Sequence, residues 1–344
     1  MKPLPSMKVL VLDGAHASLR LERRPVPVAE AGEVLVRVHA SGVNPLDLKI
    51  REGAAPHAKH PFPAILGIDL AGVVEAVGEG VRGFAAGDEV MGMTGGVGGH
   101  QGSLAQFASV DARLLALKPA TLSMRQAAAI PLAFITAWEG LVDRARVGAG
   151  QNVLVHGGGG GVGHMALQIA ASFGAKTFAT VSAASAEYVA SLGAVPIDYK
   201  STPPESYVQQ HTNGEGFDIV YDTVGGQVLD ASFRAIKRFG HVVSALGWGT
   251  HALAPLSFKA GTYSGVFTLL PLLTGVGREH HGEILLEATR LANAGQLTPR
   301  VDNHAYTLET ANDAHSAMAA STTASGKIVI TIDVDNPSSF GTRR

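Results

Sequence analysis

The residues with the clearest chemical potential are glycines. Val153-Leu154-Val155-His156 runs into Gly157 through Gly161, Val162 and Gly163, and Gly158-Gly159-Gly160-Gly161-Val162-Gly163 satisfies the spacing G-x-G-x-x-G. A glycine run meets that spacing by composition alone, so context must decide. Here an apolar strand precedes the run and an amphipathic helix, Val162–Phe173, follows it. Backbone at Gly158, Gly160, Gly161, Val162 and Gly163 can then approach a pyrophosphate closely, while the helix N-terminus supplies amide donors and partial positive charge. The pattern points to a dinucleotide; the alternative is a flexible turn in an ordinary strand–helix unit.

The end of the next strand selects between the nicotinamide dinucleotides. An acid about 20 residues beyond the glycines bonds a ribose 2′-hydroxyl. This chain reads Thr180-Val181-Ser182-Ala183-Ala184-Ser185-Ala186 there, with no acid before Glu187. A 2′-phosphate meets no repulsion, and Ser182 and Ser185 can donate to it, although the nearest bases in sequence are Lys176 and Lys200. NADPH is the expected cofactor.

Zero cysteines exclude disulfides, thiolate nucleophiles, iron–sulfur clusters and Cys-ligated zinc. His57 and His60 lie in a proline-flanked stretch read as a surface loop, and adjacent His280 and His281 point apart on a helix. All four are read as solvated, with no third ligand in register, so no metal site is expected.

These groups need elements to hold them. The first third reads as short strands, Lys8–Leu12, Glu33–Ala40, Leu70–Val77, Glu89–Met91 and Leu104–Val110, with antiparallel or barrel-like pairing. One helix is expected at Pro45–Arg51, capped by Asn44. A helical stretch, Met124–Val142, then leads into strands Asn152–His156, Thr177–Val181, Val195–Ile197, Ile219–Asp222, His241–Ser244 and Val266–Thr268. Helices at Val162–Phe173, Ala186–Leu192, Glu205–His211 and Val228–Lys237 alternate with the earlier ones. That alternation predicts an α/β fold, a doubly wound parallel sheet forming a Rossmann dinucleotide-binding domain over 129–272. Helices at Gly282–Ala294 and near Glu309–Ala319, with a strand at Lys327–Ile332, are too little for a domain of their own. They are expected to return to the β-rich domain, making it discontinuous, 1–128 with 273–344. The tail Asn336–Arg344 is expected to fray.

Composition bounds the partners. The 344 residues are 46% hydrophobic, and 27 Lys and Arg nearly balance 29 Asp and Glu, which offers nothing to nucleic acid or an anionic membrane. The longest apolar stretch, Ala127–Trp138, is too short to span a bilayer and is interrupted by Pro131. Met1-Lys2-Pro3-Leu4-Pro5-Ser6 has no apolar signal-peptide core. A cytoplasmic protein is expected.

Several spaced motifs occur together in order. Gly67-Ile68-Asp69-Leu70-Ala71-Gly72-Val73-Val74-Glu75-Ala76-Val77-Gly78, continuing to Gly87-Asp88-Glu89-Val90, resembles the medium-chain dehydrogenase/reductase superfamily. Gly42-Val43-Asn44-Pro45-Leu46-Asp47 through Arg51 resembles its zinc-independent quinone oxidoreductase branch, the relatives of zeta-crystallin. Pro131–Leu141, Phe217–Gly226 and Gly326-Lys327-Ile328-Val329 are similar to the same branch.

The resemblance implies a GroES-like catalytic domain for the β-rich part. It also implies hydride transfer from NADPH to a small electrophile, a quinone or enone, in a cleft between the domains. By position, Asn44 would face the nicotinamide end and Thr136 would touch the nicotinamide. Leu246, Gly247 and Trp248 would present backbone to the carboxamide, and Tyr199 and Lys327 complete the cofactor set. The alternatives are that Asn44 is only a cap, Thr136 an ordinary helical residue and Trp248 core. Zinc is not expected, because Asn44 and Ile68-Asp69 stand where zinc-dependent relatives carry ligands and the cysteine-rich lobe is missing. Ala55 and Leu104 replace aromatic residues common in the branch, and no acid is evident, so the proton is expected from solvent. The loop Gly92–Ser103 is expected to border the cleft, with His100 and Gln101 either within reach of substrate or plain loop residues.

Two other functions stay open: a 2-alkenal or enone C=C reductase with little quinone activity, and a crystallin-like module that binds NADPH without turnover. A homodimer is expected through an apolar edge strand, Tyr263–Leu270, unless Leu270–Leu273 fold back over it. The acid-free Thr180–Ala186 stretch predicts that NADPH is oxidised in preference to NADH by at least about tenfold, ~1.4 kcal/mol. Steady-state rates with both cofactors check this, and equal or reversed preference would refute the reading of that stretch.

Overall fold

The computed structural model describes residues 6–320 and 326–332; the tail 336–344 lies outside them. The chain divides into two compact units, one of Met1–Leu132, Leu269–Asn293 and Pro299–Arg344, the other of Ala133–Thr268 and Ala294–Thr298.

In chain order the first unit opens with β1 (Ser6–Val11), β2 (Arg20–Pro25), β3 (Glu33–Gly42), α1 (Pro45–Arg51), β4 (Asp69–Val77), β5 (Glu89–Met93), β6 (Phe107–Asp111), β7 (Leu115–Leu117) and α2 (Met124–Ala128). Next come α3 (Pro131–Trp138), β8 (Asn152–His156), α4 (Gly161–Ser172), β9 (Lys176–Val181), α5 (Ala183–Ser191), β10 (Val195–Asp198), α6 (Pro204–Thr212) and β11 (Phe217–Asp222). They are followed by α7 (Gln227–Ala235), β12 (Ile236–Ser244), α8 (Ala254–Ser257) and β13 (Thr262–Gly265). The chain ends with α9 (Leu270–Thr274), α10 (Arg278–Asn293), α11 (Ala311–Ala319) and β14 (Val329–Thr331).

The first unit is built on β3. One edge of this ten-residue strand pairs antiparallel with β4 along its length. The other is shared: β6 takes Glu33–Arg37, and β14, from the far end of the sequence, takes Ala40–Gly42. The register of β3 against β4 shifts between Leu35 and Val36 and again between Val38 and Ala40, the second shift falling where the other edge passes from β6 to β14. β5 and β7 extend the sheet beyond β4, and β1 pairs with β2 in a separate ribbon.

The second unit is a six-stranded parallel sheet in the order β10-β9-β8-β11-β12-β13. Counted within the unit this is 3-2-1-4-5-6, the doubly wound order expected from the alternating elements. Its core includes Leu154, Phe178, Tyr207, Phe217, Leu229, Phe233 and Val242, with the Phe178 and Phe217 rings edge to face at 5.3 Å.

Four expectations are corrected. The helical stretch Met124–Val142 is three pieces, because Pro131 lacks a donor and turns the preceding residue from helical geometry; beyond Trp138 the chain continues as a π-helix, Glu139–Arg144. The sixth strand of the parallel sheet lies at Thr262–Gly265, not Val266–Thr268, so only the first part of the Tyr263–Leu270 segment is strand. Leu270 instead opens α9, with Pro271 in its first turn. The strand Leu104–Val110 begins only at Phe107, because residues before it belong to the loop. Finally, the histidines are not all solvated: His281 is 1% exposed within α10, and His60 is partly buried, with the Gly99 N–H donating to its Nδ1. Among the described residues no helix is long and apolar enough to cross a membrane.

Candidate functional site

In the parallel unit, β8 ends at His156 and the glycine run turns the chain into α4, with Gly160 as its extended N-cap residue. Two glycines are required by close approach. A Cβ on Gly158 would lie 2.5 Å from that of Ala179, and one on Gly163 would lie 2.2 Å from the Gly157 carbonyl oxygen. Gly161 faces open space. The Gly157 and Gly158 N–H groups both donate to the Thr180 carbonyl, at 3.1 and 3.2 Å, which ties the loop to the end of β9. His156 reinforces the tie through Nδ1, 2.9 Å from Thr180 Oγ1, and burial pushes this imidazole down to about 4, so it is neutral near pH 7. Amides of the first turn of α4 precede its first intrahelical bond and are left for an anion.

Ser182 caps α5 without lending its side chain to the helix. Ser185 stands where a Cβ on Gly159 would meet its own Cβ at 2.7 Å, and the Tyr199 N–H donates to the Val181 carbonyl at 3.4 Å. The structure therefore brings Ser182, Ser185 and Tyr199 together around the end of β9. Lys176 is at the opposite end of that strand, while Lys200 directly follows Tyr199. The turn of Leu246, Gly247 and Trp248 follows β12, with the Leu246 N–H donating to Ser244 Oγ and Asp222 accepting from Ser244 Oγ at 2.8 Å. Trp248 is 56% exposed, so it is not core. Thr136 is buried on α3, and its carbonyl accepts the Tyr221 hydroxyl at 2.6 Å.

The first unit holds a constellation that reading along the sequence missed. Asn44, Asp47, Asp69 and Lys327 are all buried. Lys327 Nζ donates to Asn44 Oδ1 and, at 3.1 Å, to Asp69 Oδ2. Asn44 Nδ2 donates to the same carboxylate at 2.9 Å and to the Gly42 carbonyl at 3.3 Å. Both amide hydrogens of Asn44 are thus engaged within the cluster. Asp69 Oδ1 accepts from the Leu132 N–H at 2.8 Å. Asp47 accepts from the backbone N–H groups of Asn44 and Gly67, at 2.8 and 3.2 Å. Burial pushes its carboxyl up to about 7, those two bonds oppose the rise, and the nearby charge of Asp69 adds to it. Titratable groups are therefore present where none was expected. Asn44 and Lys327 were named from the quoted motifs, which also contain Asp47 and Asp69; that Lys327 would meet the other three is not local information.

This donor set does not suit zinc. An ammonium already occupies the space between the Asn44 oxygen and the Asp69 carboxylate, and it would repel a second cation. Among the described residues no group of three His, Cys, Asp or Glu is placed to hold a metal ion.

The Gly92–Ser103 loop is braced within the first unit. His100 Nε2 lies 2.9 Å from an Arg278 nitrogen, and Gln101 Nε2 donates to the Phe107 carbonyl at 2.7 Å. Beside them is a cavity of about 430 Å³ in which Asp111 accepts from Arg113 and Arg278 and Glu33 accepts from the Ser109 hydroxyl.

Residues 30–120 match the family described as the alcohol dehydrogenase GroES-like domain, and residues 192–330 match the one described as zinc-binding dehydrogenase. The chain is 35% identical over 326 residues to a 2-methylene-furan-3-one reductase of Solanum lycopersicum, covering 92% of this chain and 76% of that one. It is 34% identical to the chloroplastic NADPH-dependent alkenal/one oxidoreductase of Arabidopsis thaliana, over 89% and 73% of the two chains. It is 33% identical to the chloroplast envelope quinone oxidoreductase homolog of the same plant, over 92% and 95%. A crystal structure of an alcohol dehydrogenase superfamily protein from Novosphingobium aromaticivorans superposes with a TM-score of 0.93 at 57% identity, covering 95% of this chain and all of that one.

The Asp47 carboxyl generates a pH prediction. Its value is raised from 3.8 to about 7 in the fold, so between those limits the folded chain holds a proton that the unfolded chain has released. Its contribution therefore falls as pH rises through that window, by about 4 kcal/mol at most. Denaturant unfolding of wild type and Asp47→Asn from pH 4.5 to 7.5 should show the wild type losing stability relative to the variant. Parallel curves would contradict the assignment.

Proposed function

Because the chain belongs to the medium-chain dehydrogenase/reductase superfamily, in its quinone-oxidoreductase-like branch, we propose that it is an NADPH-dependent, zinc-independent reductase of quinones and electrophilic enones. The observation that carries the reading is the glycine loop at the carboxyl end of β8, tied to a β9 terminus that offers serines and no acid. When bound, NADPH supplies the hydride. The backbone of Gly158, Gly160, Gly161, Val162 and Gly163 holds the pyrophosphate at the start of α4. Ser182, Ser185 and Tyr199 receive the 2′-phosphate; the carboxylate of Asp198, paired with Val181, is engaged by the Lys200 N–H and the Ser201 hydroxyl. Leu246, Gly247 and Trp248 receive the carboxamide, and Thr136 borders the nicotinamide.

Asn44 acts as an anchor in this reading. With both its N–H groups and Oδ1 engaged, it fixes the Lys327 ammonium against Asp69. Lys327 is the member of this cluster that the reading assigns to the cofactor. The proton that completes reduction comes from solvent. Composition alone supports a cytoplasmic setting.

The branch resemblance and the edge position of β13, whose outer side is unpaired among the described residues, support a homodimer. Light scattering should then report about twice the chain's 35.5 kDa, and a monomer at micromolar concentration would end the dimer proposal. For the activity, the test is a steady-state screen of quinones, 2-alkenals and cyclic enones with NADPH, before and after extensive chelation. Turnover unaffected by chelation is expected. Turnover confined to 2-alkenals and enones selects the narrower C=C reductase; tight NADPH binding without turnover selects the binding module. Stoichiometric zinc lost together with activity defeats the zinc-free reading.

A further inference from the structure

Beyond the residues that would touch the cofactor, the geometry points to Tyr221 as a positioning residue that sets the nicotinamide-facing segment of α3 through the Thr136 carbonyl; this rests on the reductase reading above. Tyr221 lies on β11, paired with Val155 of β8, one residue before the strand ends at Asp222 and His156. These two strands flank the point where the strand order of the sheet reverses, outside whose carboxyl ends ligands bind in open α/β sheets.

Although fully buried, the Tyr221 ring is held at its tip. Its hydroxyl donates to the Thr136 carbonyl at 2.6 Å, and burial pushes its pKa well up, so it remains a donor near neutral pH. A Cβ on Gly140 would lie 2.7 Å from Tyr221 Cζ, so the ring tip presses directly on the helix backbone. At this place the helix changes character: Trp138 ends the α-helical part and Glu139–Arg144 is π-helical, with the Ala145 N–H reaching the Gly140 carbonyl at 3.0 Å. Single π turns within helices occur often at functional sites.

On the same turn, the Thr268 hydroxyl donates to Glu139 Oε2 at 2.7 Å and lies 3.1 Å from Thr136 Oγ1. Thr136 is therefore fixed from two sides, its backbone by Tyr221 and its hydroxyl beside Thr268. The phenol of Tyr221 thus selects the position of the helix turn that carries Thr136, and a ring without the hydroxyl would fill the same space but remove the bond to that turn's backbone.

Tyr221→Phe separates these roles, because it keeps the ring and removes only the donor. We expect kcat/KM for NADPH-dependent turnover to fall about tenfold, the size expected for one buried hydrogen bond. NADPH binding should weaken, while binding of 2′,5′-ADP, which has the 2′-phosphate and no nicotinamide, should be unchanged. Gly140→Ala, which forces the ring away, should likewise weaken NADPH binding and leave 2′,5′-ADP binding unchanged. Equal weakening of NADPH and 2′,5′-ADP, or no change in either, would overturn the assignment, as would unchanged kcat/KM in a folded Tyr221→Phe variant that turns over. If wild type turns over no electrophile, the reductase reading falls by itself, and the affinity split still decides the role of Tyr221.

Discussion

The ammonium of Lys327 between Asn44 and Asp69 is the interaction on which the first unit depends. It joins the residues just after β3, the start of β4 and the segment leading into β14, which are far apart in sequence. Charges this buried are costly to desolvate, and removing one partner of such a pair typically costs about 3–5 kcal/mol because the other is left uncompensated. Asp69 meets that demand with its whole carboxylate: Oδ2 serves Lys327 and Asn44, and Oδ1 serves the Leu132 N–H at the start of α3. The pair therefore ties the start of β4 to the Leu132 backbone within the first unit.

The parallel unit relies on a different device, close backbone approach. Gly158 and Gly163 allow β8, β9 and α4 to come nearer than side chains permit, and the Thr180 carbonyl captures the two loop amides. The strand ends are then locked by His156 against Thr180 and by Asp222 against Ser244. Asp222 also accepts from the Val224 and Gly225 N–H groups, so the turn after β11 is fixed from the same carboxylate. A rigid rim results, and a rigid rim is what a cofactor site requires, since a loosely held amide stabilises an anion less than a fixed one.

Some positions were legible because their cause is local. Asn44 and Pro45 announce the start of α1, and the apolar run before Gly157 with the helix after it announces the β8–α4 unit. Others had no local cause. β2, Arg20–Pro25, carries mostly charged residues and is strand only because β1 pairs with it. β7 has three residues and exists as an extension of β5. The sixth strand of the parallel sheet was displaced by several residues because Val266–Leu269 are as apolar as a strand but Pro271 makes the following turn helical.

The sequence by itself determined the alternation of elements, the glycine loop and its acid-free partner strand, and the resemblance to a reductase branch, because each is written in contiguous residues with a fixed period or spacing. Tertiary structure alone decided that Asn44 has its amide engaged, that Asp47 and Asp69 share a buried space with Lys327, and that Tyr221 presses on Gly140. The physical reason is that burial and hydrogen-bond partnership belong to pairs of segments: Lys327 reaches Asp69 only because β14 and β4 pair with the same strand, β3. No property of residue 327 or residue 69 alone contains that fact.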